Sequence, residues 1–244
     1  MKYLLLSFHV ILGFLSCTPV VSESKKPVNT KSKTVLLNPL DTAVYFSGIW
    51  VNERYAESVK TLQSPRESFK EDYIMRSCIV IPGRTLQITK LISSFHEGGG
   101  DAVVVKEGEK YRLYTADLKS VNSEIQILSP GRMKLFDEYF IKISQADTEI
   151  PGLGILQDIL FSGTYRLAGG GQVTFGKDGR VSGLDSFKQY IPVIDYTTEE
   201  DSTADLLVLK GKTEHRYKYR FAQDSLSVYE PQGKKIYSLL RITR

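Results

Sequence analysis

From Val44 onward the chain alternates apolar and polar residues with a period of two, the pattern of strands with one buried face. Residues 85–89, 110–114, 124–128 and 139–143 form one such series, and residues 172–175, 206–209, 217–221, 225–229 and 236–240 form a second. Turn residues separate them at Pro82-Gly83, Gly98-Gly99-Gly100, Pro130-Gly131, Lys177-Asp178-Gly179, Lys210-Gly211 and Gln232-Gly233. Many short strands joined by tight turns predict antiparallel meanders, which closure into barrels relieves of exposed edges. One stretch departs from alternation: Asn52 is a suitable N-cap for a helix over residues 53–62, with Tyr55, Val59 and Leu62 on one face.

The chain repeats its own opening. Phe46-Ser47-Gly48-Ile49-Trp50 heads the first series and Phe161-Ser162-Gly163-Thr164-Tyr165 heads the second, and each series ends on a cation before isoleucine, Lys142-Ile143 and Arg241-Ile242. Gly48-x-Trp50 with Lys142, and Gly163-x-Tyr165 with Arg241, resemble the lipocalin-like (calycin) group. In that group a Gly-x-Trp strand opens the barrel and a basic residue on the last strand packs over the aromatic ring. The resemblance covers residues 42–244 and departs from the group's pattern where Tyr165 stands for tryptophan. It implies two small lipocalin-like antiparallel meander barrels in tandem, an all-β fold with a short helix after the first strand of the first unit. It also makes Trp50, Tyr55, Lys142, Tyr165 and Arg241 candidates for a ligand pocket or for barrel closure.

Ahead of the first strand, residues 3–15 are apolar after Lys2, too few for a membrane-spanning helix and the length of a secretion signal. Ser16-Cys17 resembles the lipobox of bacterial lipoproteins, although Phe14 and Leu15 depart from its usual residues. Cys17 is therefore the expected lipid-attachment site, with palmitate among the acyl groups to be sought, and Thr18 in place of aspartate implies the outer membrane. Residues 22–34 are polar and lysine-rich, a tether. The expected organisation is a signal peptide over residues 1–16, lipidated cysteine and tether over 17–40, a first barrel over 41–147, a connector over 148–160 and a second barrel over 161–244.

Charge narrows the partners. The net charge of +4 comes from 32 basic and 28 acidic residues. Lys2 supplies one positive charge and four tether lysines against Glu23 supply three more, so residues 35–244 are neutral. A nucleic-acid partner is thereby disfavoured, since it calls for cations concentrated on the folded face.

Catalytic groups are few. Cys17 and Cys78 are the only cysteines, and Cys78 lies in an apolar strand-like run that reads as core. His215 is expected in a turn and His96 at a hairpin tip beside Glu97 and Asp101, too few fixed ligands for zinc. Residues 171–177 mimic a phosphate loop, but Asp178 replaces the required Ser or Thr. Asp195, Glu199, Glu200, Asp201 and Asp205 read as a charged loop. No cofactor or metal is expected. The leading expectation is a membrane-anchored, non-catalytic envelope lipoprotein binding a small apolar or amphipathic ligand. Alternatives are a structural or inhibitory module gripping another envelope protein and, third, an enzyme centred on His96.

Overall fold

The structure is a computed structural model describing residues 46–69, 78–81, 89–95, 98–144, 154–196 and 203–243. Strands β1 (Gly48–Asn52), β2 (Cys78–Ile81), β3 (Thr89–Ser94), β4 (Gly98–Glu107), β5 (Lys110–Thr115), β6 (Val121–Ser129), β7 (Arg132–Leu135) and β8 (Glu138–Ser144) pair in sequence order, and β8 returns to β1 to close a barrel. Strands β9 (Gly163–Leu167), β10 (Gln172–Phe175), β11 (Val181–Ser182), β12 (Gln189–Pro192), β13 (Asp205–Lys210), β14 (Glu214–Ala222), β15 (Ser225–Tyr229) and β16 (Lys235–Thr243) form the second antiparallel sheet, with β16 paired to β9. The remaining gap between β11 and β12 is bridged at Arg180 and Gln189. Val181 N donates to Lys188 O at 2.9 Å and Tyr190 N to Gly179 O at 2.8 Å across the same gap. The fold is all-β: two antiparallel meander sheets in tandem, both barrel-like, with few helices.

The repeated opening has the same physical basis in both sheets. Gly48 has φ +119° and Gly163 φ +138°, backbone that only glycine adopts readily. This turn of the chain brings the following aromatic back over the preceding phenylalanine. Trp50 Nε1 donates to Phe46 O at 2.8 Å, and Tyr165 Oη donates to Phe161 O at 2.7 Å. Both polar tips are therefore satisfied although both residues are wholly buried.

Helix α1 (Glu53–Leu62) follows β1, capped by Asn52 Oδ1, which accepts from Arg54 N at 3.0 Å and Tyr55 N at 3.3 Å. Glu53 in its first turn receives a forked pair of hydrogen bonds from Arg132 of β7. Gln63 ends the helix in left-handed backbone, and a second short helix, α2 (Pro65–Ser68), starts from Ser64, whose Oγ accepts from Glu67 N at 3.1 Å. This α1–α2 hairpin packs on the outer side of β1.

Strand β1 is buried at all five positions because it is a wall between two cores. Trp50 belongs to the core of the first barrel with Phe46, Tyr111, Met133 and Phe140. Its neighbours Ile49 and Val51 face the other way, into a core shared by Tyr55, Ala56 and Val59 of α1, by Ile155–Phe161 and by the interior of the second sheet. At the centre of that second core Phe161 meets the rings of Phe175, Tyr190, Tyr219 and Phe221 at 5.0 to 5.9 Å. Phe161 ends a π-helical turn (Gln157–Phe161), closed by Ser162 N donating to Gln157 O at 2.8 Å.

Three local expectations are corrected. Gly98-Gly99-Gly100 opens β4 instead of forming a turn, because pairing with β3 satisfies backbone groups that no side chain obstructs. His215 lies in β14, since the turn is completed by Gly211–Thr213, and its ring packs near Phe187 and Tyr217 at 6.1 and 6.2 Å. Asp205 leaves the expected charged loop and is buried at the start of β13.

Candidate ligand-binding cleft

The α1–α2 hairpin approaches the second sheet at the β13 and β14 strands and is tied there by polar contacts. Arg66 N donates to Asp205 Oδ1 at 3.0 Å. Gln63 behaves like a strand residue: its Nε2 donates to Gln223 O and its Oε1 accepts from Gln223 N, both at 2.8 Å. Between these ties the two surfaces do not meet, and a cleft of about 540 Å3 remains.

One wall of the cleft is the hairpin from Leu62 to Glu67, and the other is formed by Lys218, Tyr219, Arg220 and Phe221 of β14, with residues 203–205 and Tyr229 at the margins. Alternation explains the β14 wall. Tyr219 and Phe221 turn into the core, so Lys218 and Arg220 turn outward. Their cross-strand neighbours carry no carboxylate: Lys218 stands opposite Leu206 and Tyr229, and Arg220 opposite Ser227. Among the described residues neither cation has an ion-pair partner. Arg66, by contrast, pairs with Glu67 beside it. Leu62 is 48% exposed at the cleft edge, a large apolar side chain without cover.

The floor of the junction is polar and buried. Asp205 is 9% exposed, and burial holds its carboxyl above the ordinary carboxylate range, opposed by hydrogen bonds from Ser64 and the Arg66 amide. Tyr196 lies beside it, donating to Val193 O at 3.0 Å while accepting from Leu206 N at 3.3 Å. Burial pushes the Tyr196 and Tyr219 hydroxyls well up, so both are neutral at any physiological pH. Asp205 with neutral Tyr196 can hold the junction together, and the outward cations can meet an anion.

The residues singled out from the sequence lie elsewhere. Trp50 and Lys142 are direct cross-strand partners of β1 and β8, with Lys142 Nζ 5.5 Å from the indole centroid and its pKa lowered by desolvation. Tyr165 and Arg241 are partners of β9 and β16, with Arg241 Cζ 5.0 Å from the ring. Arg241 Nε also donates to Tyr165 Oη at 2.9 Å, and its Nη2 reaches Leu160 O. Tyr55 is in the shared core, tilted against Phe95 at 5.4 Å. None of these five lines the cleft. Cys17 and His96 lie outside the described residues. Lys218 and Arg220 went unremarked in the sequence, although Arg216-Tyr217-Lys218-Tyr219-Arg220-Phe221 alternates cation and ring and so announces a basic outer face.

Among the described residues no three His, Cys, Asp or Glu side chains converge as a metal site, and no helix is long and apolar enough to cross a membrane. Comparison with protein-family models, with curated proteins and with solved structures found no match to this chain.

Proposed function

We propose that this protein is a lipocalin-like lipoprotein of the bacterial cell envelope, anchored through an acylated Cys17 and binding a small amphipathic ligand without transforming it. The observation that carries the binding reading is the cleft of about 540 Å3 at the junction of hairpin and second sheet. Its volume falls in the roughly 300–1,000 Å3 range of small-molecule sites, and it joins an uncovered leucine to outward cations. The anchoring reading is supported by the apolar leader, Ser16-Cys17 and the lysine-rich tether. Tether lysines next to a bilayer add attraction to anionic headgroups of about 1 kcal/mol each.

Native mass spectrometry of the full chain purified from envelope membranes tests both. The expected spectrum carries acyl groups on a chain beginning at Cys17 and a non-covalent adduct of small-molecule mass. A chain still bearing Met1 removes the anchor. A bare polypeptide mass, unchanged after incubation with an envelope lipid extract, removes ligand binding. Palmitate labelling of wild type but not of Cys17→Ala is the matching result in cells.

A further inference from the structure

We propose that the cleft selects an anionic amphiphile, with Lys218 and Arg220 taking a phosphate or carboxylate head and Leu62 receiving the apolar part. This rests on the ligand-binding reading above and adds the chemistry of the ligand. Lys218 and Arg220 project from the same face of β14, two residues apart, which spaces their backbones by roughly 6.6 Å. That separation lets two long side chains converge on one tetrahedral or planar anion. A guanidinium offers a fork of donors and an ammonium a compact charge, so the pair suits oxygen anions.

The surroundings favour an anion over a cation or a neutral head. No carboxylate stands opposite either residue on the neighbouring strands. Glu67 is engaged by Arg66, and Asp205 is turned into the buried junction, where backbone and hydroxyl donors occupy it. A third cation, Lys235, which does not line the cleft, lies over the ring of Tyr229, which does, at 5.6 Å. The apolar half is equally specific in place: Leu62, at the hairpin end of the cleft, is 48% exposed although it belongs to the helix face that buries Tyr55 and Val59. A head bound at β14 directs its chain towards Leu62, which a free inorganic anion leaves uncovered.

Titration calorimetry on the full chain in phosphatidylcholine nanodiscs, with protein-free discs as blank, tests this with hexyl phosphate, hexanol and inorganic phosphate as probes. Hexyl phosphate is expected to bind about tenfold or more tightly than either other probe, and more weakly as salt rises. Lys218→Gln with Arg220→Gln should weaken hexyl phosphate by about tenfold or more, and Leu62→Ser should weaken hexyl phosphate while leaving inorganic phosphate unchanged. Circular dichroism checks the fold of each variant, and the salt dependence of the unaltered protein decides if a variant fails to fold. Equal affinity for hexanol, or salt-independent binding, overturns the anionic head but leaves ligand binding standing. Hexyl phosphate binding that survives the double substitution moves the site elsewhere and overturns the assignment. Binding of none of the three probes overturns the assignment too; the native mass spectrum then decides separately whether the ligand-binding reading survives. To separate sources, vesicles of phosphatidylglycerol in phosphatidylcholine are added: competition with hexyl phosphate assigns a lipid headgroup, and its absence a free amphiphile.

Discussion

Replacing Arg241 by methionine keeps most of the side-chain stem and removes the guanidinium that joins β16 to Tyr165 of β9 and to Leu160. In the native fold Arg241 donates to Tyr165 Oη and to Leu160 O, and its charge lies 5.0 Å from the Tyr165 ring and 5.6 Å from that of Phe221. Hydrogen bonds from a charged donor contribute about 1.5–3 kcal/mol each and a ring contact about 0.5–2 kcal/mol. Arg241 is only partly buried, so the low end of each range applies and the two hydrogen bonds and two ring contacts sum to about 4 kcal/mol. With a urea dependence of about 2–3 kcal/mol per molar, the unfolding midpoint should fall by about 1 M or more. Trp50 is the only tryptophan and sits in the first barrel, so its fluorescence reports a core that Arg241 does not touch. Because β1 walls both cores, fluorescence and far-ultraviolet circular dichroism should shift together. A double-mutant cycle with Tyr165→Phe should return a coupling of about 1–2 kcal/mol. A loss below about 0.5 kcal/mol, or a shift seen by circular dichroism alone, refutes the stabilising role of these contacts or the shared wall respectively.

Gly48→Ala and Gly163→Ala each force a side chain into left-handed extended backbone and should cost about 1–3 kcal/mol by urea titration, whereas Gly108→Ala, in an open turn at φ +60°, should cost less. Asp205 provides a pH test. Its folded pKa is raised above the unfolded value, so the unfolded state loses its proton first as pH increases, and the resulting penalty grows as pH rises through the folded pKa and is absent below the unfolded one. Asp205→Asn keeps an acceptor for Arg66 N without the buried charge, so its stability relative to wild type should be higher at pH 7 than at pH 4, a reversed order counting against the mechanism. Phe161→Ala, at the centre of four rings, should cost about 3–5 kcal/mol by the same titration, and a loss under 1 kcal/mol would show that Phe161 does not anchor that core.

Strands with one wet face were legible because their alternation is local: β5, β6, β8, β10 and β14 to β16 fall where the pattern puts them, and β13 falls where the apolar run of residues 206–209 does. The helix over residues 53–62 was legible for the same reason, since Asn52 and the spacing of Tyr55 and Val59 are neighbours in sequence. What lay hidden depends on distant partners. Asp205 reads as one acid among many until Arg66, 139 residues away, presents its amide to it. The two-residue β11 is too short for any periodicity, and the π-helical turn has no pattern of its own. The cleft was the least legible feature, because its walls come from residues 62–67 and 218–221 and only the fold brings them face to face.

The junction that creates the cleft ties the hairpin to the second sheet. An occupant touching both the hairpin and β14 would bind only when hairpin and second sheet are docked, so it would add stability with the logarithm of its concentration, about 2.7 kcal/mol at one hundred times its dissociation constant. The hairpin continues directly from β1 through Asn52, and Asn52 Nδ2 donates to Glu138 of β8 at 2.9 Å. The hairpin is thereby tied to the seam that closes the first barrel. Two barrels that merely shared a linker would not couple this way. Here one strand has its alternate side chains in two cores, and neither core can loosen β1 without exposing apolar side chains of the other.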